Sequence, residues 1–89
     1  LTLSSGAKII TSGISWDKFI KENDTDYHIG GPILLGNNVW LGSNSIILPN
    51  VILGNNIIVA AGSVVTKSFE ENNIIIAGVP ARKIKNIHE

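Results

Sequence analysis

Cysteine is absent from these 89 residues, which excludes a disulfide framework, a thiolate nucleophile and a Cys-ligated zinc. Methionine is absent as well, position 1 included, so the sequence is read as part of a longer protein. Net charge is missing too, because seven Lys and Arg balance seven Asp and Glu. That balance excludes a surface built to hold a nucleic-acid backbone by counterion release, and no polybasic stretch offers a membrane anchor. Apolar runs stop at about six residues, against the ~20 that span a bilayer. No basic-then-apolar leader opens the sequence. A soluble, cytoplasmic chain with no nucleic-acid partner and no membrane span is expected. The length allows one domain at most.

What is present is periodic. Stepping by six from Ile29 reaches Leu35, Leu41, Ile47, Leu53, Val59 and Val65, all aliphatic. Four places after each step the side chain is again small or β-branched: Ile33, Val39, Ser45, Val51, Ile57, Ser63. Leu3, Ala7 and Ile9 show the same spacing at the start. A helix asks for apolar residues at i, i+3, i+4 and i+7, and Pro32 and Pro49 would break it. A plain amphipathic strand has no reason to turn every six residues. A short strand followed by a tight corner explains the period. The corners fall at Gly36-Asn37-Asn38, Gly42-Ser43-Asn44, Pro49-Asn50 and Gly54-Asn55-Asn56, built from residues that tolerate left-handed backbone.

Three such units make one triangular turn of about 18 residues, and the next turn stacks on it at about 4.8 Å. The expected fold is all-β, a parallel β-helix of hexapeptide repeats forming a single domain over residues 1–89. Residues 29–64 make two full coils, and 1–14 most of an earlier one. Residues 15–28 break the period and are polar, so they are read as an extended loop thrown out from a corner. The period breaks again at 66–73, after which Ile74–Ala77 returns as a strand. Residues 80–89 are expected as a short basic C-terminal tail capping the last coil.

Three ordered stretches carry a family resemblance: Pro32-Ile33-Leu34-Leu35-Gly36-Asn37-Asn38-Val39-Trp40-Leu41-Gly42-Ser43, then Ala60-Ala61-Gly62-Ser63-Val64-Val65-Thr66-Lys67, then Ala77-Gly78-Val79-Pro80-Ala81-Arg82. Over residues 29–85 the chain resembles the C-terminal half of the hexapeptide-repeat acyltransferases, in particular the O-acetyltransferases of sugars and surface polysaccharides. The resemblance implies a left-handed β-helix that assembles as a homotrimer. It implies acetyl-CoA as co-substrate, lying between neighbouring prisms, and a saccharide hydroxyl as acceptor. No metal is expected: a zinc β-helix enzyme needs about three His ligands, and the chain has two histidines. An ice-binding solenoid would show a ladder of outward Thr, and none is present.

Ser43, Ala61, Thr66 and Lys67 match the family's CoA-contacting positions. Small side chains at Ser43 and Ala61 would let the pantetheine arm approach the backbone, and Lys67 would meet phosphate as a point cation. Arg82 and Lys85 resemble the basic residues flanking the adenosine phosphates, and Lys67 and Arg82 are expected together at the nucleotide end. Trp40 suits an acceptor sugar ring. The bland alternatives are corner packing for Ser43 and Ala61, a subunit contact for Trp40 and a solvated tail for Arg82 and Lys85.

The family's general base is a histidine that follows a Thr-x-Gly-like stretch before the loop. Here Ile10-Thr11-Ser12-Gly13 leads to Ile14, and ungapped counting back from Trp40 lands near Trp16. Neither side chain takes a proton. His28, at the loop's return, is the candidate base, since a neutral imidazole suits a hydroxyl at neutral pH. His88 is expected at the surface. A histidine outside the given residues, or a catalytically silent trimeric scaffold or regulatory subunit, are the other readings.

Overall fold

A computed structural model describes residues 1–14 and 28–88. All regular structure among them is β-strand, and the chain coils through three faces. The first face carries β1 (Thr2–Leu3), β6 (Val39–Leu41), β9 (Ile57–Val59) and β11 (Ile74–Gly78), parallel and side by side. The second carries β2 (Lys8–Ile9), β7 (Ile46–Ile47) and β10 (Val64–Val65), also parallel. The third pairs β5 (Leu34–Leu35) with β8 (Ile52–Leu53), and a bridge from Leu53 to Phe69 extends it. Trp40 pairs with Ile58, Ile46 with Val64 and Leu34 with Ile52, each 18 residues apart. One coil is therefore three hexapeptides.

From Val39 to Val65 the period puts two side chains of each hexapeptide inside. Leu41, Ile47, Leu53, Val59 and Val65 form one set of buried positions, and Val39, Ser45, Val51, Ile57 and Ser63 the other. Burying each of the Leu, Ile and Val side chains contributes about 1.5–3 kcal/mol. The two serines are tolerated because each is hydrogen-bonded: Ser45 Oγ donates to the Gly42 carbonyl at 2.8 Å, and Ser63 Oγ accepts from the Gly78 N–H at 3.1 Å. Leu35 is half-buried. Leu3 and Ile9 are in phase yet 54% and 38% exposed, because β1 and β2 are edge strands with nothing paired beyond them among the described residues.

Corners are where asparagine earns its place. Asn38, Asn56 and Asn73 turn the chain onto the first face with φ of 58°, 55° and 61°, a region costly for most side chains. They also stack as a ladder: Asn38 Nδ2 donates to Asn56 Oδ1 at 3.1 Å, and Asn56 Nδ2 to Asn73 Oδ1 at 2.8 Å. A parallel set runs beside it, in which the Asn37 and Asn55 N–H groups donate to Asn55 Oδ1 and Asn72 Oδ1, both at 2.8 Å. The corner between the first and second faces uses Gly6, Asn44 and Gly62, again left-handed. Gly42 enters that corner so close to the next coil that a Cβ would stand 2.6 Å from the Ala61 nitrogen.

Two departures from the six-residue period follow from this frame. From Ile9 to Leu35 the chain runs 26 residues where the period asks for six. The excess leaves as an arm, in which β3 (Ser12–Ile14) pairs antiparallel with β4 (His28–Gly30). The remainder of the expected 15–28 loop, residues 15–27, lies outside the described residues. After Val65 the next inward step comes at Phe69, four residues on, so the last coil pairs Ile74 with Ile57 at a spacing of 17. Within the expected C-terminal tail, β12 (Ala81–Asn86) folds back antiparallel on β11 and forms the edge of the first face. Lys83 Nζ meets Glu71 Oε2 at 2.9 Å there, an exposed pair that contributes at most ~1 kcal/mol.

Candidate active site

The corner between the first and second faces gathers the small residues. Ser43 and Ala61 sit one above the other in successive coils, with the Gly62 N–H donating to the Ser43 carbonyl at 2.8 Å. One coil earlier the Ser5 carbonyl accepts from the Asn44 N–H at 3.1 Å. The result is a column of short side chains along one edge of the prism, where a slender ligand can reach the backbone. Arg82 pairs with Ala77 at the end of the first face nearest this corner, and Lys85 pairs with Ile75 farther back. Both are exposed.

Thr66 and Lys67 follow β10 and stand exposed at the opposite end of the second face. The Lys67 ammonium lies 5.4 Å from the centre of the Phe69 ring, within cation–π range. Residues 63–65 separate this pair from the Ser43–Ala61 corner, roughly 10 Å of extended chain. Any ligand touching both must lie across the second face. Lys67 and Arg82 thus belong to different corners of the same end of the prism.

Trp40 points outward from the middle of β6 and is 51% exposed. Its Nε1 donates to Ser4 Oγ at 3.0 Å, which fixes the ring against the preceding coil. The indole lines an open groove of about 460 Å³ on the first face, together with Asn56, Ile58 and His88. His88 is exposed, as expected, and lines this groove. Its place depends on β12 folding back, a long-range pairing that no six-residue period reveals.

His28 opens β4, and its Cα partner across the antiparallel pair is Ile14. Directly opposed residues in such a pair have Cα atoms about 4.5–5.5 Å apart. The arm therefore returns the histidine's backbone beside the position that follows Thr11-Ser12-Gly13. Among the described residues no group of three His, Asp or Glu side chains could hold a metal ion, and no helix is long and apolar enough to cross a membrane.

Comparison with known proteins agrees with the coil. Residues 32–67 match the family described as bacterial transferase hexapeptide (six repeats). The galactoside O-acetyltransferase of Escherichia coli K12 is 48% identical over 58 residues, 65% of this chain and 28% of that protein. The crystal structure of a maltose O-acetyltransferase from Clostridium difficile 630 superposes with a TM-score of 0.81 at 36% identity, covering 98% of this chain and 45% of the other. A galactoside acetyltransferase solved in complex with coenzyme A gives 0.74 at 35% identity, over 97% of this chain and 44% of that one. The chain spans less than half the length of each of these relatives. It resembles the hexapeptide-repeat acyltransferases, in particular their sugar O-acetyltransferases.

Proposed function

We propose that this chain forms part of an acetyltransferase that moves an acetyl group from acetyl-CoA to a hydroxyl of a saccharide or surface-polysaccharide acceptor. The observation that carries this reading is its match, over nearly the whole chain, to an acetyltransferase solved with coenzyme A. In this reading the pantetheine arm lies along the Ser43–Ala61 column, pairing with backbone that short side chains leave accessible. Arg82 and Lys85 flank the phosphates from the first face, and Thr66 and Lys67 from the far end of the second. Trp40 offers its exposed ring to the acceptor.

His28 is the general base. Its imidazole takes the proton of the acceptor hydroxyl as the oxygen attacks the thioester carbonyl. The C–S bond then breaks, and the imidazolium returns the proton to the departing thiolate. The β3–β4 register supports the assignment, because it returns the His28 backbone opposite Ile14. The coil is left-handed and the assembly a homotrimer in the cytoplasm, with sites shared between subunits. Leu34 and Ile52, cross-strand partners exposed on the third face, are apolar surface of the kind a neighbouring subunit covers.

One observation favours a second reading, a catalytically silent trimeric scaffold or regulatory subunit: the residue after Gly13 is Ile14, which takes no proton. A calorimetric titration with coenzyme A separates the two. Saturable one-to-one binding per subunit is expected, and an intact assembly that binds no coenzyme A would overturn the enzyme reading.

A further inference from the structure

The groove beside Trp40 has a chemistry of its own. It runs from Trp40 on β6 past Ile58 on β9 to Asn73, just before β11, and to Ile87 and His88, just after β12, about three strand spacings or roughly 14 Å. Ile58 gives it an apolar floor between the strands. One wall is the asparagine ladder. Within it Asn73 Oδ1 accepts from Asn56, and Asn73, at the ladder's last rung, lines the groove. The far end is set by the tail, since the Ile87 N–H donates to the Asn73 carbonyl at 2.8 Å and brings His88 into the lining. At the near end the indole is held by Ser4.

No Lys, Arg, Asp or Glu is among the described residues that line this groove. Among these side chains a nucleotide phosphate or a charged peptide finds no Lys, Arg, Asp or Glu to pair with. An aromatic face, an apolar floor and a row of neutral amides suit a molecule with apolar ring faces and hydroxyl edges. Its volume of about 460 Å³ lies within the usual range of ligand sites, and its length exceeds a single sugar ring.

We propose that this groove is a subsite for a neutral oligosaccharide laid along the axis of the β-helix, with Trp40 under one ring and Asn73 and His88 hydrogen-bonding a ring two or three units away. The proposal rests on the saccharide-acceptor reading above and adds that the acceptor is a chain whose length is sensed on the first face. His88 is a binding residue here and has no part in proton transfer.

The test is calorimetric and NMR titration of the protein with maltooligosaccharides and galactooligosaccharides of one to four units, repeated on His88→Ala. In at least one series affinity is expected to rise with length. His88→Ala should weaken the longest member about three- to tenfold, the loss of one or two neutral hydrogen bonds. It should leave the monosaccharide unchanged. Affinity that is flat with length, a length effect that survives His88→Ala, or no binding in both series would overturn the proposal. Acetylation of monosaccharides with no length dependence would sink the groove and keep the enzyme. Length-dependent binding with no thiol release from acetyl-CoA would keep the groove and sink the enzyme.

Discussion

Replacing Asn56 probes the reason the coil turns where it does. This residue holds φ at 55°, accepts from Asn38 Nδ2 at 3.1 Å and donates to Asn73 Oδ1 at 2.8 Å. Asn56→Gly keeps the left-handed corner but deletes both ladder bonds, which at about 0.5–1.5 kcal/mol each contribute roughly 1–2 kcal/mol with exposed partners. Glycine adds about 0.5–1 kcal/mol of chain entropy lost on folding. Asn56→Ala deletes the same bonds and forces a Cβ into left-handed backbone, a further 1–2 kcal/mol or so. The expected losses are about 2 kcal/mol for glycine and about 3 kcal/mol for alanine. Urea unfolding followed by circular dichroism at one fixed protein concentration measures both. Alanine tolerated better than glycine would refute the claim that backbone handedness selects asparagine here. Losses near zero for both would refute the ladder.

Three further outcomes are expected. Gly42→Ala places a Cβ 2.6 Å from the Ala61 nitrogen and 2.7 Å from the Val59 carbonyl oxygen, so the coils must separate, and a loss of about 2–3 kcal/mol should appear in the same unfolding assay. His28→Ala should lower turnover about 10²–10⁴-fold with the affinity for coenzyme A unchanged, and activity that survives would move the base elsewhere. Lys67→Ala combined with Arg82→Ala should weaken coenzyme A tenfold or more, since charge-assisted bonds net roughly 1.5–3 kcal/mol each, and should flatten its salt dependence. A phosphate-free pantetheine thioester should bind the double variant almost as before, and equal losses for both ligands would show that these side chains support the fold.

The interior was legible because a period of six leaves a mark at every step. Leu41, Ile47, Leu53, Val59 and Val65, with Val39, Ser45, Val51, Ile57 and Ser63, are the buried positions, and at the four expected corners Asn38, Asn44, Asn50 and Asn56 hold the left-handed backbone while Gly36, Gly42 and Gly54 do not. Legibility failed where the chain leaves its period. Phe69 resumes the column four residues after Val65, and a shortened step cannot be told from a break without the neighbouring coil. β12 pairs backward through Ile74 and Asn86, so the short basic tail gave no hint that it would carry His88 to the Trp40 groove. The same pairing sets Arg82 near the Ser43–Ala61 corner while Lys67 stays at the other end of the second face. Nearness to one end of the prism said nothing about which corner each cation takes.

The central claim is acetyl transfer, and thiol release measures it most directly. Purified protein is incubated with acetyl-CoA, with and without a saccharide acceptor, while free thiol is titrated and the acceptor weighed by mass spectrometry. The account predicts thiol release that depends on the acceptor, with one acetyl group gained by the saccharide for each thiol freed. Binding of acetyl-CoA with no acceptor-dependent thiol release and no acetylated saccharide, across neutral mono- and oligosaccharides, would contradict it.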